Sequence, residues 1–124
     1  PADKFREFLE NWLGFVSGSK TEWLLRKGNP GKMVLMDVFG NSMEPAILEG
    51  DMALIDQSKK DVIAGAIYAV GVEDTVMLKR IERRPGALVL RSDNTDYSPL
   101  VLQGEELQHI RIIGKMIWSC REYR

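Results

Sequence analysis

The chain has 124 residues, 44% of them hydrophobic and 28% charged, with 17 Lys and Arg set against 18 Asp and Glu. This length supports one domain around one core, and a formal net charge of −1 lacks the basic excess of a domain that itself grips nucleic acid. Cys120 is the only cysteine, which excludes an intrachain disulfide and suits a reducing, cytoplasmic setting; the longest apolar run, Val62 to Val72, spans 11 residues and contains two glycines, well short of the roughly 20 a membrane helix needs. No membrane partner, signal peptide or transmembrane segment is expected. The first residue is Pro1 rather than methionine, which reads as a fragment or processed product.

From Asp3 to Val16, the residues Phe5, Phe8, Leu9, Trp12, Leu13 and Val16 recur at helical spacing, and Asp3 can cap the first turn. The spacing predicts an amphipathic helix ended by Ser17-Gly18-Ser19. A short helical turn is expected over Thr21 to Lys27, closed by Gly28 and the breaker Asn29-Pro30-Gly31. Residues 1–32 therefore read as a helical segment packing on a single domain that covers 1–124.

The β part follows. Met33 to Phe39, Met52 to Asp56, Ala66 to Val72, Thr75 to Arg84, Ala87 to Arg91 and Ile110 to Trp118 are rich in branched and aromatic residues and separated by turn signals. Six short strands predict a mostly β domain. Arg84-Pro85-Gly86-Ala87 places Pro and Gly where a type II turn wants them, so Thr75 to Arg91 reads as a hairpin. Glu73-Asp74 is a second two-residue connection, although it lacks the glycine such turns favour.

Between the first two strands lies Gly40-Asn41-Ser42-Met43-Glu44-Pro45. Gly40 permits angles that side chains forbid and Pro45 fixes its own φ, so Ser42 sits in a tight turn that can present its hydroxyl. Serine in such a turn is ordinarily a turn-former, and as a nucleophile it needs a base within hydrogen-bond reach. Lys79 supplies a candidate. Alternation along Thr75 to Arg84 puts Lys79 on the same face as Met77 and Ile81. Burial there disfavours the ammonium, and a neutral lysine can take a proton. The competing reading is a lysine whose stem covers apolar surface while its head stays wet. His109 is the only histidine and no Cys/His cluster exists, so neither a histidine triad nor a zinc site is supported, and no cofactor is expected.

Three segments in order carry a resemblance: Val38 to Pro45 with Glu49-Gly50-Asp51, then Met77-Leu78-Lys79-Arg80-Ile81, 37 positions after the serine, then Ser92-Asp93-Asn94-Thr95-Asp96-Tyr97-Ser98-Pro99. From about Met33 to Trp118 the chain resembles the C-terminal domains of LexA and of Cro/CI-type phage repressors, self-cleaving serine/lysine peptidases with UmuD as a relative. The resemblance implies a LexA/signal-peptidase-like β fold. It implies Ser42 as nucleophile, Lys79 as base, and backbone N–H groups of Asn41 and Ser42 as the oxyanion site. It further implies a homodimer, operator DNA bound through an N-terminal domain outside this chain, and a RecA filament as a candidate partner in induction. Asp51 takes the place of a turn-stabilising residue.

One departure stands out. The family cleaves an Ala-Gly or Cys-Gly bond ahead of the serine, whereas the only such pair here is Ala64-Gly65, after it. The cleaved bond is then either upstream of Pro1 or absent. Two alternatives stay open: a dimerisation module with a vestigial dyad, and a signal-peptidase-like protease, which the missing membrane anchor and the Asn94/Tyr97 loop disfavour. The basic cluster Lys79, Arg80, Arg83 and Arg84 splits between two strand faces beside Glu73, Asp74 and Glu82, and reads as a solvated hairpin rather than a nucleic-acid patch.

Overall fold

The computed structural model describes residues 29–123. The predicted helix over Asp3 to Val16 and the turn over Thr21 to Lys27 lie outside that range. Among the described residues the domain is mostly β, with seven strands: β1 (Met33–Asp37), β2 (Met52–Asp56), β3 (Ile67–Val72), β4 (Thr75–Arg84), β5 (Ala87–Arg91), β6 (Leu100–Gln103) and β7 (Ile110–Cys120). All six strand pairings are antiparallel, in the order β1-β2-β7-β3-β4-β5-β6. The six expected strands are present, three with the expected bounds and three with one end shifted by one or two residues. The seventh, β6, was not expected: it has four residues, only Leu102 of them buried, and it follows a Ser/Pro loop with no alternation long enough to announce it.

Both expected hairpins form. Arg84 pairs with Ala87 and Gly86 takes φ 69°, as the Pro-Gly turn requires. Val72 pairs with Thr75, and with no glycine available Glu73 itself takes the left-handed region at φ 54°. These two turns make β3, β4 and β5 a meander that continues into β6. The chain then returns through a 3-10 segment, Gly104–His109, to insert β7 between β2 and β3.

β7 joins the two parts of the sheet. Its first half, Ile110 to Lys115, pairs with β3, and its second half, Lys115 to Cys120, pairs with β2. The register skips once on each side, leaving Ile113 and Ile117 as extra residues, and such bulges bend and twist a strand. Gly114 sits at the bend, buried and packed against backbone of Asp56 and Gln57 at the end of β2.

Three apolar clusters fill the domain. One, containing Val38, Met43, Ile47, Ile55, Ile67, Ala69 and Leu78, lies beneath the loop that carries Ser42. Burying a side chain such as Ile47, 1% exposed, stabilises by roughly 2 to 3 kcal/mol. A second holds Met33, Leu35 and Leu54 against Ile117 and Trp118. A third gathers Tyr68, Val70, Ile81, Leu90 and Leu102, with Met77 against it. Leu78 and the pair Met77/Ile81 thus belong to different clusters, as period-two alternation along β4 demands. The buried Tyr68 hydroxyl donates to the Asp61 carbonyl at 2.7 Å and accepts from the Ile63 N–H at 2.8 Å, so the loop into β3 is fastened from inside.

Candidate active site

The loop between β1 and β2 is tied at its base before it is shaped at its tip. Val38 N–H donates to the Asp51 carbonyl at 2.9 Å and Gly50 N–H to the Val38 carbonyl at 3.0 Å. The buried carboxylate of Asp51 accepts from Leu48 N–H at 2.9 Å, the turn-stabilising role expected for it. It also receives both arms of Arg121, Nε at 2.8 Å and Nη2 at 3.0 Å. That bidentate partner, together with the Leu48 N–H, holds the Asp51 carboxyl below its ordinary value against the opposing effect of burial.

At the tip, Glu44 N–H donates to the Asn41 carbonyl at 3.2 Å and Ile47 N–H to the Met43 carbonyl at 3.0 Å, with Met43 and Ile47 turned into the core. The Glu44–Pro45 peptide is cis. Ser42 is left half-buried at the surface of this turn. Among the described residues, neither the Asn41 and Ser42 N–H groups nor the Ser42 hydroxyl takes part in a hydrogen bond.

Lys79 reaches the same place from β4. Ser42, Asn41 and Lys79 line one cavity of about 420 Å³, with Met36, Val38, Phe39, Met43, Met77, Leu78 and Tyr97 among its walls. Lys79 is half-buried, less enclosed than the largely buried lysine that its apolar neighbours suggest. Its Nζ donates to Ser92 Oγ at 2.6 Å and stands 5.7 Å from the centre of the Tyr97 ring. Burial pushes the amine below the ordinary lysine value.

The third segment closes the constellation. Asn94 N–H donates to the Ser42 carbonyl at 3.0 Å and its side-chain amide to the Asn41 carbonyl at 2.9 Å, while the Tyr97 hydroxyl donates to Asn41 Oδ1. The loop is anchored on β4 by Asp93, whose carboxylate takes Arg80 Nε at 2.7 Å and Nη2 at 3.1 Å; Arg80 also donates to the Gly65 carbonyl. Asp93 thereby holds the Arg80 guanidinium above its ordinary value. Glu82 accepts from both Arg84 and Arg91, so one carboxylate serves two cations of the hairpin. Sequence reasoning named Ser42, Asn41, Lys79 and the Asn94/Tyr97 loop, and one cavity gathers Asn41, Ser42, Lys79 and Tyr97. It quoted Arg80, Ser92 and Asp93 within the motifs but missed the Lys79–Ser92 and Arg80–Asp93 contacts, and it missed Arg121 altogether. A signal for Ser92 was available: with Arg80 opposite Arg91, the β4/β5 register runs on to set Ser92 opposite Lys79.

No helix among the described residues is long and apolar enough to cross a membrane, and no group of three or more His, Cys, Asp or Glu among them is arranged to hold a metal ion.

Comparison with known proteins bears on these residues. The sequence profile described as Peptidase S24-like matches residues 12–117. The LexA repressor of Haemophilus influenzae is 36% identical over 88 residues, covering 70% of this chain and 42% of that protein. The repressor protein CI of Enterobacteria phage phi80 is 37% identical over 87 residues, covering 68% and 36%. An uncharacterized HTH-type transcriptional regulator of Haemophilus influenzae is 37% identical over 79 residues, covering 63% and 33%. The chain thus spans between a third and about two fifths of the length of these curated relatives.

Proposed function

The chain belongs to the Peptidase S24-like family, and on that premise we propose that it is the regulatory domain of a transcriptional repressor, carrying a Ser42/Lys79 dyad that cleaves a peptide bond of its own chain. The observation that carries this reading is that Ser42, on the loop after β1, and Lys79, within β4, line one cavity where burial favours the neutral amine. In the proposed reaction Ser42 Oγ attacks the scissile carbonyl carbon and Lys79 Nζ takes the hydroxyl proton. The N–H groups of Asn41 and Ser42, which have no hydrogen-bond acceptor among the described residues, stabilise the oxyanion. The C–N bond breaks as the Lys79 ammonium returns the proton to the leaving amine, and a water, deprotonated by the same lysine, hydrolyses the Ser42 ester.

The substrate bond is placed upstream of the domain, because no Ala-Gly or Cys-Gly pair precedes Ser42. Operator recognition is likewise assigned outside this domain, to the part of the protein that corresponds to the remaining length of its repressor relatives. The test is mass spectrometry of the protein with its natural upstream residues, incubated from pH 7 to pH 10 beside a Ser42→Ala control. Upstream fragments appear with the parent and are missing with the control. Identical fragments in both samples, or none at any pH, would leave the second reading, a dimerisation module without cleavage.

Self-association belongs to both readings. Residues Met116 to Cys120 of β7 are half-buried and have a ladder partner only in β2 among the described residues, which offers one strand edge to a second copy. Sedimentation at tens of micromolar is expected to give a species of twice the chain mass. A monomer throughout that range would remove the dimer.

A further inference from the structure

The 92–97 loop touches both halves of the candidate dyad, and each contact is specific. Ser92 takes the Lys79 amine at 2.6 Å. Asn94 and Tyr97 hold the Asn41–Ser42 backbone and the Asn41 side chain. Asp93 fixes the loop to β4 through Arg80, the residue next to Lys79. We propose that Ser92 is a positioning residue for Lys79, and that the loop acts as a clamp setting the amine against the Ser42 turn. This rests on the Ser42/Lys79 reading and extends it to the groups that make the lysine competent.

The chemistry follows from the shape of an amine. A neutral lysine nitrogen carries two N–H bonds and one lone pair, and only the lone pair can accept the serine proton. Rotation about the last side-chain bond would spread that lone pair over three staggered directions. Committing one N–H to Ser92 Oγ removes one of them and leaves the other two facing away from Ser92, on a side chain that borders the cavity Ser42 also lines. After proton transfer the same oxygen accepts from an ammonium, and hydrogen bonds to a charged donor are the stronger kind. The other charged or titratable groups around the amine are Tyr97 from the loop, Asp37 on the cavity wall from β1, and Arg80 with Asp93, which are engaged with each other. The short, directional acceptor that the amine meets is Ser92 Oγ. Register keeps Ser92 in place, since it follows directly on the Arg80/Arg91 pair.

The experiment is an NMR titration of lysine side-chain resonances, with Lys79 assigned by substitution, run beside the cleavage assay on the protein with its natural upstream residues. Ser92→Ala is expected to lower the Lys79 pKa by about one unit, because the ammonium loses its acceptor. It should also slow Ser42-dependent cleavage about 10-fold on the alkaline plateau, where protonation no longer limits the rate. Ser92→Thr restores both. Should Ser92→Ala fail to fold, Ser92→Cys keeps the volume with a weak acceptor and shifts the titration the same way. A Lys79 titration unchanged in the Ala and Cys variants overturns the proposal whether or not cleavage occurs, and so does a shifted titration with an unchanged plateau rate. A shifted titration with no cleavage by any form, parent included, defeats the dyad reading alone and leaves Ser92 as the group that holds the amine.

Discussion

Replacing Lys79 by methionine is expected to slow self-cleavage by about 10⁴-fold, the upper end of what one general base contributes, while making the folded domain more stable at neutral pH. The two effects have one cause. Burial lowers the Lys79 pKa from its ordinary value of 10.5, so the folded state holds the proton less tightly than the unfolded chain does. Below the folded pKa the domain carries the full penalty of an enclosed charge. As pH rises through the folded pKa toward the unfolded value that penalty is relieved, and above both it is gone. Methionine keeps much of the lysine stem's apolar contact and carries no charge, so its advantage should be largest near pH 7 and vanish above about pH 10 to 11. Denaturant titrations at pH 7 and pH 10.5 measure the difference. A variant less stable than the parent at pH 7, or one that still cleaves at the parental rate, would contradict the role given to this residue. The same lowered pKa predicts a cleavage rate that rises with pH to a plateau, with its midpoint below the lysine reference.

Gly114→Ala is expected to destabilise the domain by about 3 kcal/mol, the upper range for overpacking a core. A Cβ built there would lie 2.5 Å from the Asp56 carbonyl oxygen, 2.8 Å from its carbon and 2.9 Å from Gln57 Cα. All three are backbone atoms at the end of β2 and cannot step aside as a flexible side chain would. Asp56 has its own constraints: its buried carboxylate accepts from Ser58 Oγ at 2.6 Å, Ser58 N–H at 2.9 Å and Asn29 N–H at 3.2 Å. Relief of the clash would have to move this network. Chemical denaturation of the purified variant reads the cost, and a loss within 0.5 kcal/mol of zero would mean that β7 and β2 separate more easily than their packing implies.

Much of the local architecture was legible because it is written in local patterns. The β4/β5 hairpin follows from Pro85-Gly86, and the assignment of Met77 and Ile81 to one face of β4 follows from alternation alone. Glu73 shows how far a turn can be read without its favoured residue: the strands on either side dictated the connection and the glutamate accommodated it. What escaped was set by distance along the chain or by brevity. Arg121 and Asp51 are 70 positions apart, and no periodicity links a terminal arginine to a loop carboxylate. β6 is a short edge strand whose consecutive residues Leu100 and Val101 are both apolar and exposed, so it lacks the apolar and polar alternation that marks a half-buried strand. At the candidate site, the serine and lysine were recognisable by residue type and spacing. The direction of the lysine's hydrogen bond was not, because it depends on a side-chain rotamer and on which of two hydroxyls, Ser42 or Ser92, the amine meets.

The bent last strand has a consequence for how the protein is made. Ser42 lies on the loop of the β1–β2 part of the sheet and Lys79 in the β3–β6 part, and within the sheet β7 is the strand that pairs with both. On a ribosome the two parts emerge first and the strand that unites them emerges last. A nascent chain can form the β3–β4–β5 meander from neighbouring residues, but its sheet stays in two pieces until Ile110 to Cys120 has cleared the exit tunnel. Synthesis order thereby sets the order of assembly: Ser42 and Lys79 are translated before the strand that pairs with both parts of the sheet.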